Sequence, residues 1–179
     1  IALEKSGREL QYRPIEKLPV IEVENFPALG KLTALRFIEW AQQNPGGVIS
    51  LPTGKTPEHF IHWVKRYLSH WSDAKTASEL DENGVDPGTP PEMSSLHFVQ
   101  IDDFYPIKST QHNSFFDYVN KYYIDGFGLD RSKALLMDCW TCGTPKGMNA
   151  GDVFPDGSVD LSLRERQARN HTEELQQSV

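Results

Sequence analysis

Residues 48–57 read Val-Ile-Ser-Leu-Pro-Thr-Gly-Lys-Thr-Pro: an apolar run that breaks at a proline and a small-residue turn, then enters an amphipathic helix. No other stretch narrows the fold as much. A short apolar run bounded by turn signals has the length of a strand, and a strand that feeds a helix is half of a parallel crossover unit. Thr56 is expected at the N-cap and Pro57 at the first helical position. Backbone N–H groups around Thr53, Gly54, Lys55 and Thr56 would then point outward at the positive end of the helix, a setting suited to an anion such as phosphate. Gly54 imposes no side chain on the turn, and Lys55 adds a full positive charge. The spaced glycines that precede the Gly-Lys-Thr of a Walker A loop are absent, so that motif is excluded. The bland alternative is an ordinary strand-turn-helix connection.

The same alternation continues along the chain. Residues 1–17 are polar and mixed in charge, which suits an extended arm or short helix ahead of the core. Pro19 to Val23 reads as a first strand. The helix expected from about Asn25 and Phe26 puts Gly30, Ala34, Phe37, Ile38 and Ala41 on one face and stops at Pro45-Gly46-Gly47. The helix after the 53–56 turn runs from Pro57 to about Trp71, with Phe60, Ile61, Val64, Leu68 and Trp71 as its buried stripe. His59 and His62 lie one turn apart on it with no third ligand nearby, so they read as surface histidines rather than a metal pair. From Ser72 to Ser95 the chain is acidic and rich in turn residues, a surface excursion serving as a lid or a flexible insertion. Leu96 to Ile101 resumes as a strand and ends at Asp102-Asp103, and Ser114 with Asp117 forms a capping box for a helix carrying Phe115, Val119, Tyr122 and Tyr123. Ala134 to Met137 is a fourth strand, and a charged helix over 159–175 closes the chain.

Four short strands alternating with helices predict an α/β fold: a three-layer, Rossmann-like architecture with a mostly parallel sheet covered by helices on both faces. Ligands of such sheets collect beyond the carboxyl ends of the strands, near a topological switch point. The 53–56 turn ends one strand and Asp102-Asp103 ends the next, so two loops far apart in sequence are expected at one edge.

With 179 residues the chain suits a single domain with its own core. No apolar run is long enough to cross a membrane, and a net charge of −7 without a concentrated Lys/Arg block excludes nucleic acid as the main partner. No secretory signal is visible, and because Ile1 is not a natural start residue an upstream piece is expected to have been removed. Cys139 and Cys142 form a lone Cys-x-x-Cys that enters a Gly/Pro-rich loop with no second cysteine pair, which reads as two reduced thiols in a cytoplasmic protein rather than a redox or zinc site.

Over about Pro19 to Asp138 the chain resembles the glucosamine-6-phosphate deaminase/isomerase family, which shares its fold with the 6-phosphogluconolactonases. Leu51-Pro52-Thr53-Gly54-Lys55-Thr56-Pro57 is similar to the family's Leu-Pro-Thr-Gly-x-Thr-Pro phosphate loop. Asp102-Asp103-Phe104 stands where the family has Asp-Glu-Tyr, and Ser114-Phe115 matches its Ser-Tyr or Ser-Phe pair. The resemblance implies aldose-ketose isomerisation of an amino-sugar phosphate with loss of ammonia. Asp102 would be the base that moves a proton between C2 and C1, with Asp103 beside it in the catalytic pair, and Thr53, Gly54, Lys55 and Thr56 would hold the 6-phosphate. Two carboxylates facing one pocket would raise each other's proton affinity; adjacent strand-end side chains usually point to opposite sides, in which case Asp103 braces a loop.

Three departures from the family pattern stand out. Lys55 replaces a small residue, Asp103-Phe104 replaces Glu-Tyr, and the family's Gly-rich block with its ring-opening histidine has no counterpart, His112 and His171 lying outside any matching motif. The chain is therefore expected to be the amino-terminal part of a longer protein. Enolisation by a carboxylate needs no cofactor, so none is expected, and the expected partner is a small sugar phosphate rather than nucleic acid or membrane, with a homo-oligomer left open. Two alternatives remain: a non-catalytic sugar-phosphate-binding module, and a lactonase-like hydrolase, from which Phe104 and Ser114-Phe115 point away.

Overall fold

Asn25 opens the first described helix: its extended backbone (φ −163°, ψ 172°) lets the side chain accept from the Ala28 N–H, and α1 (Phe26–Gln43) follows. The computed structural model describes residues 20–104, 107 and 109–138. Expectations placed on residues 1–19 and 139–179, including Cys139, Cys142 and the 159–175 helix, lie outside the described residues. After α1 come β1 (Val48–Ile49), α2 (Glu58–Ser69), α3 (Ala74–Glu82), a 3₁₀ turn (Met93–Ser95) and β2 (His97–Val99). Then follow α4 (Phe115–Val119), a π-helical turn (Asn120–Ile124), α5 (Asp125–Phe127), a second 3₁₀ turn (Arg131–Lys133) and β3 (Ala134–Leu135).

The three strands form a parallel sheet in the order β1-β2-β3, with Ile49 opposite Phe98 and Val99 opposite Leu135. This is the parallel-sheet α/β architecture of an incomplete Rossmann-like fold. Ile49 and Phe98 are buried on one face, whereas Val48 and Leu135, on the other, are 65% and 67% exposed. The described helices therefore cover one face and not both. A strand order that runs one way with right-handed crossovers puts every connection on the same side, and the second layer requires a reversal that these three strands do not contain. Residues 20–23, expected within a first strand, have no strand partner among the described residues.

α1 and α2 make the closest helix pair. A Cβ on Gly30 would stand 2.5 Å from the Cβ of His59 and 2.7 Å from the backbone of Phe60, so the glycine sets how near α1 comes to the start of α2. Beneath the crossing, Phe37, Phe60 and Phe127 meet in edge-to-face and tilted pairs with ring centroids 5.5–5.9 Å apart, joining α1, α2 and α5 into one core with Ile38, Val64, Tyr67 and Phe98. The stripe on α2 is Phe60, Ile61, Val64 and Tyr67; Leu68 and Trp71 are only partly buried.

The 72–95 segment is not a surface excursion. It contains α3, which buries Thr76 and Leu80 at i, i+4, and its continuation buries Val85 and Met93. Ala-Lys-Thr-Ala-Ser-Glu-Leu is composed largely of good helix formers, a local signal outweighed in the sequence reading by the prolines and acidic residues after it. Glu79 on α3 fastens the layer: Lys31 of α1 lies 2.6 Å from one carboxylate oxygen, Arg66 of α2 lies 3.2 Å from the other, and the Tyr67 hydroxyl donates at 3.2 Å. Burial pushes the Glu79 carboxyl up, but the hydrogen bond and charge of Lys31, the charge of Arg66 and the Tyr67 hydroxyl outweigh it, leaving it below its ordinary value.

Two outcomes are expected. Gly30→Ala gains ~1 kcal/mol of helix propensity but forces α1 from α2 at a cost of about 1–3 kcal/mol. Its urea midpoint should fall, and an unchanged or raised midpoint would contradict the close crossing. Because the folded Glu79 carboxyl lies below its unfolded value, its stabilisation is fully present above the ordinary glutamate range and is lost as pH falls through the lowered value. The stability gap between the parent and Glu79→Gln should be constant from neutral pH down to that range and shrink below it, read by thermal unfolding at several pH values.

Candidate functional site

The loop after β1 is shaped by what it cannot pair. The Ser50 hydroxyl donates to the Val99 carbonyl at 2.7 Å, and Pro52, with no N–H, cannot extend the ladder to β2. Gly54 then turns the chain at φ +93°, a conformation that disfavours other residues even though a Cβ there would meet nothing within 4 Å. Two tyrosines hold the loop from below: Tyr118 of α4 donates to the Gly54 carbonyl at 2.8 Å, and Tyr123 of the π turn donates to the Pro52 carbonyl. In a trans peptide the C=O and the following N–H point in opposite directions. The N–H groups of Thr53 and Lys55 therefore face away from the tyrosines. Among the described residues, the N–H groups of Thr53, Gly54, Lys55 and Thr56 donate to no protein acceptor. Burial, then the neighbouring Tyr122 and Glu58, push the Tyr118 hydroxyl up to about 12; burial and Tyr118 push Tyr123 higher still, so both stay protonated donors.

The helix cap differs from expectation. Thr56 and Pro57 form a turn closed by the Glu58 N–H on the Lys55 carbonyl at 3.2 Å, and the cap of α2 is Pro57, whose ring offers no acceptor. Thr56 lines a small apolar cleft of ≈190 Å³ with Gly30, Leu51 and Phe60.

The loop after β2 leaves from the same edge. Ile49 and Phe98 are register partners; Gly54 lies five residues beyond the first and Asp102 four beyond the second. Gln100, only 2% exposed, splices the strand ends: it accepts from the Met137 N–H at 2.9 Å and donates to the Asp102 carbonyl at 2.9 Å. Asp102 is exposed, and its carboxylate has no partner among the described residues.

Asp103 differs from its neighbour. One of its carboxylate oxygens accepts from the N–H groups of Phe104 (2.8 Å) and Phe115 (2.9 Å), and the other from the Ser114 hydroxyl and the Phe116 N–H, both at 2.9 Å. Ser114 is fully buried and caps α4 by accepting from the Asp117 N–H at 3.4 Å. The carboxylate of Asp103 thus brackets the start of α4. This is the brace foreseen for adjacent strand-end residues, with both carboxylate oxygens taken up by protein donors.

Between α2 and α4 lies a cleft of ≈600 Å³. Gly54 and Lys55 line it, whereas Thr53, Thr56, Asp102 and Asp103 do not. Of the expected site residues, the fold brings Thr53, Gly54, Lys55, Thr56, Asp102 and Asp103 to one sheet edge and turns them in different directions. The sequence reading missed Gln100, Tyr118 and Tyr123 as supporting residues. A polar side chain interrupting Leu-His-Phe-Val-Gln-Ile was the signal for Gln100; the tyrosines carried none, since their spacing also fits a core stripe.

Neither a protein-family model nor a curated protein sequence matches the chain. Among solved structures, a monomeric glucosamine-6-phosphate deaminase, described as a missing link of the NagB superfamily, is similar with a TM-score of 0.51 at 17% sequence identity. The match covers 88% of this chain and 49% of that one, so the chain spans about half the length of that structure. The likeness is one of fold.

Asp103→Asn replaces an acceptor by an amide that faces the Ser114 hydroxyl and the Phe116 N–H. It should cost about 1–3 kcal/mol of stability, read by urea unfolding. Asp102→Asn should leave the urea midpoint nearly unchanged; equal losses for the two would contradict the different roles of these neighbours.

Proposed function

We propose that the chain is part of an enzyme that isomerises an amino-sugar phosphate to a ketose phosphate with release of ammonia. The observation that carries this reading is the single stretch of helix tied to both strand-end loops: Asp103 clamps the start of α4, while Tyr118 and Tyr123 hold the Gly54 and Pro52 carbonyls. A phosphate taken by the N–H groups of Thr53 to Thr56, aided by the charge of Lys55, anchors the substrate away from its reacting carbons. Binding energy at that remote dianion then fixes the orientation of the carbon chain, the source of large rate factors in such reactions.

Asp102 is the base in this reading. Its carboxylate, with no donor among the described residues and with its residue held from behind through the backbone carbonyl by Gln100, removes the proton at C2 and returns it at C1. C2 is left as an imine, which water hydrolyses to the ketone and ammonia. Asp103 is a positioning residue. No residue is assigned the ring-opening step. The fold of the solved deaminase supports this substrate class.

Asp102→Asn in the full protein should lower the exchange of the C2 proton of glucosamine 6-phosphate about 100- to 10,000-fold while phosphate-ester binding persists. Retained exchange would remove Asp102 from the chemistry. Tight binding with no ammonia release by the parent protein would instead favour a sugar-phosphate-binding module.

A further inference from the structure

The proposed reaction uses only Gly54 and Lys55 at one end of the cleft between α2 and α4, and the two walls of that cleft differ in chemistry. On the α2 side stand Ile61, His62, Lys65 and a single carboxylate, Glu58, with Lys55 at the loop end. On the α4 side stand Phe104, Phe115, Tyr118 and Tyr122, paired as Phe104–Phe115 with ring centroids 4.9 Å apart and Tyr118–Tyr122 at 4.6 Å. A cationic wall facing an aromatic one is unusual on a chain whose net charge is −7.

The lysines here are also uncommitted. Lys31, Arg36 and Arg66 are ion-paired with glutamates, whereas among the described residues neither Lys55 nor Lys65 has an acidic partner. The stem of Lys65 rests beside Gly126 of α5, 3.7 Å from where a Cβ would stand. From Glu58 to Lys65 the helix advances about 10 Å, the scale of a ring joined to a phosphate.

Apart from Gly54 and Lys55, which belong to both, this site is separate from the proposed phosphate loop. Tyr118, a cleft residue, binds the Gly54 carbonyl, so the Lys55 N–H of the same peptide unit points to the other side of the loop. Thr53, Thr56 and Asp102 do not reach the cleft.

We propose that this cleft is a second binding site, for a phosphorylated ligand with a flat unsaturated ring, a mononucleotide being the simplest. The ring lies on the Phe104–Phe115 and Tyr118–Tyr122 pairs, whose faces tolerate any base, and the phosphate is taken by Lys65. The cleft volume lies within the range of small-molecule sites. No covalent step is involved.

The test is calorimetric titration of the full protein with adenosine 5′-monophosphate, ribose 5-phosphate and adenosine. The nucleotide should bind at least about tenfold more tightly than either fragment, one lacking the ring and the other the phosphate. Lys65→Gln, an exposed change, should erase the advantage over adenosine. Tyr122→Leu should erase the advantage over ribose 5-phosphate, with Phe104→Leu as the exposed substitute if the tyrosine variant unfolds. Equal binding of the nucleotide and ribose 5-phosphate, or an unaltered affinity in Lys65→Gln, would overturn the proposal. Asp102→Asn should leave nucleotide binding unchanged whatever it does to deamination, so the cleft and the proposed reaction stand or fall separately.

Discussion

The carboxylate of Asp103 is the joint on which the sheet edge depends. Four donors from residues 104 and 114–116 converge on it, three of them backbone N–H groups, and charge-assisted bonds of this kind are about twice as strong as neutral ones. It fixes where α4 begins. Because α4 and the π turn carry Tyr118 and Tyr123, it also fixes, at one remove, the carbonyls of Gly54 and Pro52. The direction of the loop N–H groups follows from an acid in the loop after a different strand. A π turn often marks a functional segment; here it belongs to the stretch that brings both Tyr122 to the cleft and Tyr123 to the Pro52 carbonyl.

The far side of the helical layer is held by other means. The near contact of Gly30 with His59 sets the approach of α1 to α2, and Glu79 gathers cations from both helices onto α3. Arg36 pairs with Glu39 one turn along α1 and reaches across to the Asn83 carbonyl. These contacts engage the positive charge of the layer away from the site and leave that of Lys55 and Lys65 available at the cleft. Electrostatics thus contributes to structure in one half of the layer and to recognition in the other, with α2 presenting Arg66 to the first and His62 and Lys65 to the second.

Local signals were good guides where they involved neighbours in sequence. The helix start near Asn25, Ser114 as a cap, the apolar faces of α1 and α2, and the parallel strands could be read because capping and periodicity act over three to seven residues. They misled at Thr56, which yields the cap to Pro57, and over 72–95, where turn residues drew attention from the helix-forming stretch preceding them. The strands also came out shorter than their apolar runs, since Ser50 and Gln100 replace ladder bonds with side-chain bonds where the chains diverge.

The sequence alone determined the alternation of strand and helix, the placing of 53–56 and 102–103 at strand ends, and the glycine needed for the turn, because each rests on backbone geometry and short-range pattern. Only the tertiary structure decided which of two adjacent aspartates is held by donors among the described residues. Asp102 and Asp103 are the same residue type, and the choice between them depends on donors eleven to thirteen positions away that fold back onto one carboxylate and not the other. The cleft between α2 and α4 was likewise invisible, since its cationic and aromatic walls come from separate crossovers and acquire a common purpose only when the core packs them face to face.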